Sequence, residues 1–200
     1  MIAVDLEWSI AAATMPGETE SGDRCWAGSV SNGMMFAVID GLGHGPEAAA
    51  ASAIAIATLE RHVDDPLIEM LRHCHESLRG TRGVAMSLAA FNTEDAMLTW
   101  IGVGNVEGAL LHRDPGLTSD KLLLRNGVVG SHLPNLRAEK LRVRSGDILT
   151  LVTDGVTAEH LPLLAMDAHV DSMADGILAS ACKGTDDALV LVARFRGSQL

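Results

Sequence analysis

Two apolar runs of strand length, MMFAVID (Met34–Asp40) and ILTLVTD (Ile148–Asp154), each end on an aspartate followed by glycine. A third run, Ala188–Phe195, is entered through the pair Asp186-Asp187, and Asp23 stands just ahead of a fourth, Cys25–Val30. Asp23, Asp40, Asp154 and Asp186 are far apart in the chain, so only the fold can gather them. Strand ends are rigid platforms, and a glycine beside an acid lets backbone approach a ligand closely. An Asp-Gly pair taken singly also marks an ordinary turn, and that reading stands beside the first.

The rest of the pattern says which fold is available. Strand-like segments come first, at Glu7–Thr14, Cys25–Val30 and Met34–Asp40, with Asn32-Gly33 as a hairpin turn between the last two. Pro46 suits a first helical position and Glu47 the positive end of a helix, which opens a helix over Ala48–His62. That helix is apolar nearly all round and is expected to be buried. A second helix, Leu67–Arg79, carries Leu67, Met70, Leu71, Cys74 and Leu78 on one stripe. Strands resume at Val84–Asn92, Met97–Val103, Val106–His112, Lys121–Arg125, Lys140–Val143 and Ile148–Val152. Helical stretches over Val156–Met166 and His169–Cys182 precede the closing strand, Ala188–Phe195. This order lacks the strict alternation of a doubly wound fold. It suggests an α/β (α+β) sandwich, one domain over residues 1–200, with two sheets packed together and helix pairs outside.

Composition narrows the function classes. Net charge is -11, from 15 Lys and Arg against 26 Asp and Glu. Hydrophobic residues make up 48%, enough for a sizeable core, and aromatics only 3% with no tyrosine. Phosphate neutralisation needs clustered cations and base stacking needs aromatic platforms, so a nucleic-acid binder is disfavoured. Met1–Glu60 holds eight acids and a single base, Arg24. Such an excess is either solvated surface or a site that holds cations. The start of the chain lacks a basic n-region and carries Asp5 and Glu7 within its apolar stretch, unlike a signal peptide. No run is long enough to span a bilayer. Cys25, Cys74 and Cys182 are odd in number and lack ligand spacing, which argues against zinc or a disulfide framework and for a cytoplasmic protein with free thiols.

Several smaller features weigh less. His73-Cys74-His75 looks like a metal tract, but adjacent helical positions point apart. GLGHG after Asp40 has the wrong spacing for a dinucleotide loop. RAEKLRVR (Arg137–Arg144) places Lys140, Arg142 and Arg144 on one strand face, either solvated or a docking surface for an acidic partner. The methionines and Trp8, Trp26 and Trp100 read as core. If the strand-end carboxylates converge, hard divalent cations would offset their repulsion through oxygen ligands. Two such ions about 3.5–4 Å apart can clamp a phosphoryl group for in-line attack.

Taken together, SGD (Ser21–Asp23), DGLGHG (Asp40–Gly45) and the helix after it, SGDILTLVTDG (Ser145–Gly155), and DDALVLV (Asp186–Val192) resemble the PPM superfamily of metal-dependent Ser/Thr phosphatases, in its SpoIIE-like branch. The short length and GVGN (Gly102–Asn105) are most similar to the stressosome feedback phosphatases of that branch. The resemblance implies an αββα sandwich of two central antiparallel sheets flanked by helix pairs. It also implies two Mn2+ or Mg2+ ions, with Asp40 and Asp154 as the catalytic pair. Asp40 would bridge both ions and the Gly41 carbonyl would bind one. Asp154 and Asp186 would complete the ligand set of the second ion, with Asp23 contributing directly or through water. Asp187 is a neighbour rather than a ligand, and the family's threonine two places on is Leu189 here.

Two departures bear on mechanism. Residues 1–22 contain no Arg or Lys to hold the substrate phosphate, so the metals or a later residue such as Arg24 must do so. The histidine that follows Asp-Gly in the eukaryotic branch is Leu42 here, which leaves His44 as a general acid or a loop hydrogen-bonder. By resemblance the partners are phosphorylated STAS-domain proteins of a stressosome, dephosphorylated by a cytoplasmic monomer as negative feedback on a bacterial stress response. The alternative is a PPM-fold module that docks to a signalling partner without catalysis.

Overall fold

Alternation along the strands sorts side chains into three apolar layers, and those layers define the architecture. The computed structural model describes residues 4–157 and 166–198. Its elements run β1 (Val4–Ala13), β2 (Asp23–Val30), β3 (Gly33–Gly41), α1 (Pro46–Arg61), α2 (Leu67–Ser77), β4 (Val84–Asn92), β5 (Met97–Val103), β6 (Glu107–Leu111), β7 (Asp120–Lys121), β8 (Glu139–Arg142), β9 (Ile148–Val152), α3 (Val170–Ala181) and β10 (Ala188–Ser198). They form two five-stranded sheets, ordered β1-β10-β9-β6-β7 and β2-β3-β4-β5-β8, with every ladder antiparallel.

On β3, Phe36 and Val38 face the other sheet, while Met35, Ala37 and Ile39 face α1 and α2. On β10, Leu189, Leu191, Ala193 and Phe195 join Phe36 between the sheets, and Val190 and Val192 pack on α3 with Met173 and Ile177. Strands covered on both faces therefore read as continuous apolar runs instead of alternating ones. The expected sandwich is present. Helices α1 and α2 cover one sheet and α3 the other. The helix expected over Val156–Met166 falls mostly on 158–165, outside the described residues.

Four expectations need correction. The β2–β3 hairpin turns on Ser31-Asn32, because Gly33 already pairs with Val30. The strand expected over Lys121–Arg125 keeps only Lys121 in its ladder, since the chain crosses between the sheets after Leu122 and Arg125 bridges Val103. Helix α1 buries Ala48, Ala51, Ser52, Ala55 and Leu59 against β3 but leaves Ala50, Ala53, Ile54 and Ala57 exposed. Its alanines are small enough to serve on either side. Trp100 is fully buried, but Trp8, on the edge strand β1, meets Phe36 edge-on and stays 40% exposed. Lys140, Arg142 and Arg144 are exposed as expected, with Val143 buried beneath them.

Candidate metal centre

Antiparallel order places the start of β2, the ends of β3 and β9, and the start of β10 at one end of the sandwich. Asp23 lies directly opposite Asp40 in the β2–β3 ladder, so both side chains leave the same face. Asp40 continues the parity of Phe36 and Val38, which aims it into the gap between the sheets. Asp154, Asp186 and Asp187 arrive from the opposing sheet.

The electrostatics record this convergence. Burial pushes the Asp23 carboxyl up to about 8, helped by the charges of Asp40, Asp187 and Asp154 and opposed by a hydrogen bond from Thr153. Asp40 rises to about 7, through burial first, then the charges of Asp154, Asp186 and Asp187, against a hydrogen bond from Asn105. Acids from both sheets thus place negative charge on Asp23 and Asp40 at a partly buried gap.

Neutral donors hold this arrangement. Thr153, on the inter-sheet parity of Leu149 and Leu151, donates to Asp23 Oδ2 at 2.6 Å and accepts the Leu189 N–H at 2.8 Å. Asn105 Nδ2 donates to Asp154 Oδ2 at 2.6 Å. Asp187 accepts the N–H groups of Met15 at 2.8 Å and Gly22 at 2.7 Å, so it clamps the β1–β2 loop instead of facing the gap. Ser52 on α1 donates to the Gly22 carbonyl at 2.5 Å. Asn105, Thr153, Ser52 and the clamping role of Asp187 were not read from the sequence as site features. GVGN was the available signal for Asn105; the others depend on strand parity and helix docking.

The glycines beside the acids give room for the protein's own backbone. A Cβ on Gly41 would stand 2.4 Å from the Ala48 carbonyl oxygen, and one on Gly155 would stand 1.9 Å from the Asp187 carbonyl oxygen. The space is taken by the protein's own backbone, which lets α1 and the 186–187 segment close on the acids. His44 Nδ1 lies 2.5 Å from Glu18 Oε1 and ties the 41–45 loop to the β1–β2 loop. Arg24 and Asp23 line an open groove of about 610 Å³ between α1 and strands β1, β2 and β10, with Ala53, Ala57 and Glu60. Two other cations stand at the rim. Lys183 donates to the Asp154 carbonyl, and Arg82 pairs with Glu47. A Cβ on Gly43 would meet Arg82 Nη1 at 2.6 Å, so that guanidinium lies against the loop that follows Asp40.

The family model for Stage II sporulation protein E (SpoIIE) matches residues 31–196. The chain belongs to the SpoIIE family. It is a PPM-type serine/threonine phosphatase related to RsbX. The phosphoserine phosphatase RsbX of Bacillus subtilis (strain 168) is 24% identical over 140 residues, 70% of this chain and 69% of that protein. A solved chain from work on the bacterial stressosome as a modular system adapted to control secondary messenger signalling is 30% identical, with a TM-score of 0.88. It covers 95% of this chain and 100% of its own. RsbX in complex with magnesium superposes with a TM-score of 0.84 at 20% identity, over 98% of this chain and 100% of the other.

The donors of this SpoIIE-family site suit hard divalent cations. They are carboxylate oxygens, two of them on side chains raised by burial and then by neighbouring aspartate charge, with no cationic side chain of the protein among the causes of those shifts. They spread more widely than a single compact cluster. Among the described residues, the group of three His, Cys, Asp or Glu whose ligand atoms all lie within 4.8 Å is elsewhere, at His62, Asp65 and His73.

Proposed function

We propose that this SpoIIE-family chain hydrolyses phosphoserine or phosphothreonine on cytoplasmic STAS-domain partners of a stressosome-type pathway, as negative feedback on a stress response. Asp23, Asp40, the Gly41 carbonyl, Asp154 and Asp186 would hold two Mn2+ or Mg2+ ions. The observation that carries this is the convergence of strand-end carboxylates from both sheets, with Asp23 and Asp40 pushed up by burial and mutual repulsion. Support for the partner class comes from the likeness to RsbX and to the stressosome study's chain.

When bound, the ions would supply Lewis-acid polarisation of the phosphoryl group and a water acidic enough to attack it. The chain's own residues do the positioning. Asn105 fixes the Asp154 carboxylate, Thr153 fixes that of Asp23, and Asp187 keeps the β1–β2 loop against them. Arg82 and Lys183 place positive charge at the rim, where the missing upstream arginine leaves a phosphorylated partner without its usual contact. His44, engaged with Glu18, has the loop role. Asp154 is exposed, which suits the surface of a folded phosphoprotein. A monomer suffices, because every proposed ligand comes from one chain.

The test is manganese-dependent phosphate release from a phosphorylated STAS-domain protein. Asp40→Ala is expected to abolish it, and retained turnover would sink the proposal. Wild-type protein that neither binds manganese in calorimetry nor turns over would be a docking module instead.

A further inference from the structure

The sequence tract His73-Cys74-His75 divides as helical geometry requires. Cys74 is buried, with Sγ directed to the Ala55 carbonyl at 3.8 Å, and His75 Nδ1 accepts the Gly130 N–H at 3.0 Å. His73 turns the other way, toward the end of α1. Its Nε2 lies 3.5 Å from Asp65 Oδ2, and His62 Nδ1 lies 3.0 Å from the same oxygen. The two imidazoles stack with centroids 3.8 Å apart and planes 12° from parallel, so a shared ion requires one of these partly exposed rings to turn out of the stack. All three ligand atoms lie within 4.8 Å of one another.

We propose that His62, Asp65 and His73 form a second cation site, for a borderline divalent transition metal such as zinc or nickel. Two imidazole nitrogens and one carboxylate oxygen are the donors such ions prefer, whereas magnesium takes oxygen alone. Metal–ligand bonds near 2.0–2.2 Å set neighbouring donor atoms on one tetrahedral ion roughly 3.3 Å apart. The separations of 3.0 and 3.5 Å at Asp65 Oδ2 bracket that value. The turn is prefolded, because the Asp65 N–H donates to the His62 carbonyl at 3.0 Å. The side chains are 31%, 44% and 44% exposed, so the remaining coordination positions open to water. The ion would clip the end of α1 to α2. Helix α1 has 16 residues, so this site is separated from the carboxylate centre at its other end by about 24 Å.

Zinc titrations followed by calorimetry and thermal melting test the site in the full-length chain, with folding of each variant checked by circular dichroism. Asp40→Asn, which cripples the carboxylate centre, is expected to keep a zinc-binding event that raises the melting temperature. His73→Gln and His62→Asn are each expected to weaken that event at least roughly tenfold. They lie on opposite sides of the turn, so one folded variant of the two is enough to decide. Unchanged zinc affinity in a folded His variant, or loss of all zinc binding in Asp40→Asn alone, would overturn the proposal. Neither readout depends on phosphatase activity.

Discussion

Asp23 and Asp40 face each other across one ladder position with their carboxyls raised to about 8 and about 7, against 3.8 for a free aspartate. Between those values the metal-free folded chain holds protons that the unfolded chain has released. The stability tied to these groups is therefore complete below about 3.8 and is lost as pH rises through 7 to 8. Denaturant melts in chelator are expected to show a weaker fold at pH 8 than at pH 5.5. Asp40→Asn should flatten that dependence while abolishing turnover, and a fold that strengthens with pH would contradict the charge conflict. Asn105 donates to Asp154 and opposes the rise at Asp40. Asn105→Ala is expected to lower kcat/KM about 10–100-fold and to shift the manganese requirement upward, measured by phosphate release across a manganese series.

At the scale of elements, the turn before β9 is organised by Asp147, which is buried and accepts the N–H groups of Arg113 at 3.0 Å and Arg144 at 2.9 Å. His112 lies between it and Asp120, at 3.0 and 2.9 Å. Burial opposes the imidazolium, but hydrogen bonds and charge from both aspartates outweigh it and raise the His112 pKa above 6.5. That contribution is complete below about 6.5 and fades as pH climbs past the raised folded value. Asp147→Ala is expected to cost about 3 kcal/mol in denaturant melts, by stranding three donors. Strands β4, β5 and β9 were legible residue for residue, because burial on both faces writes a largely apolar run of strand length. Strand β7 was not, since its two-residue ladder is fixed by a crossing between sheets that leaves no periodic trace. The acids at strand ends were visible as motifs. The donors that orient them were not, because Thr153 reaches Asp23 and Asp187 reaches Gly22 only after the sheets have stacked. His73 escaped for a similar reason: its partners belong to the preceding helix and turn.

Across the whole molecule, the proposed ligands divide between the sheets, with Asp23, Asp40 and Gly41 from one and Asp154 and Asp186 from the other. Ions held there would bind the folded state alone, so manganese is expected to raise the melting temperature progressively with its concentration. It should also remove most of the pH dependence tied to Asp23 and Asp40. Hydrogen exchange in chelator is expected to quicken at the start of β2 and the ends of β3 and β9. Amides beside Leu191 and Phe36, deep between the sheets, should stay protected.

The division of those acids between two sheets has a further consequence. Each half of the sandwich brings acids to a shared seam, so once Asp23 and Asp40 lose their protons, at about pH 7 to 8, a cation-free seam pushes apart at that end and is held by the apolar contacts behind it. The ions would act there as a clasp. Manganese starvation would then expose the β1–β2 loop to proteases before it unfolded the enzyme, making the lifetime of the protein a gauge of the metal supply.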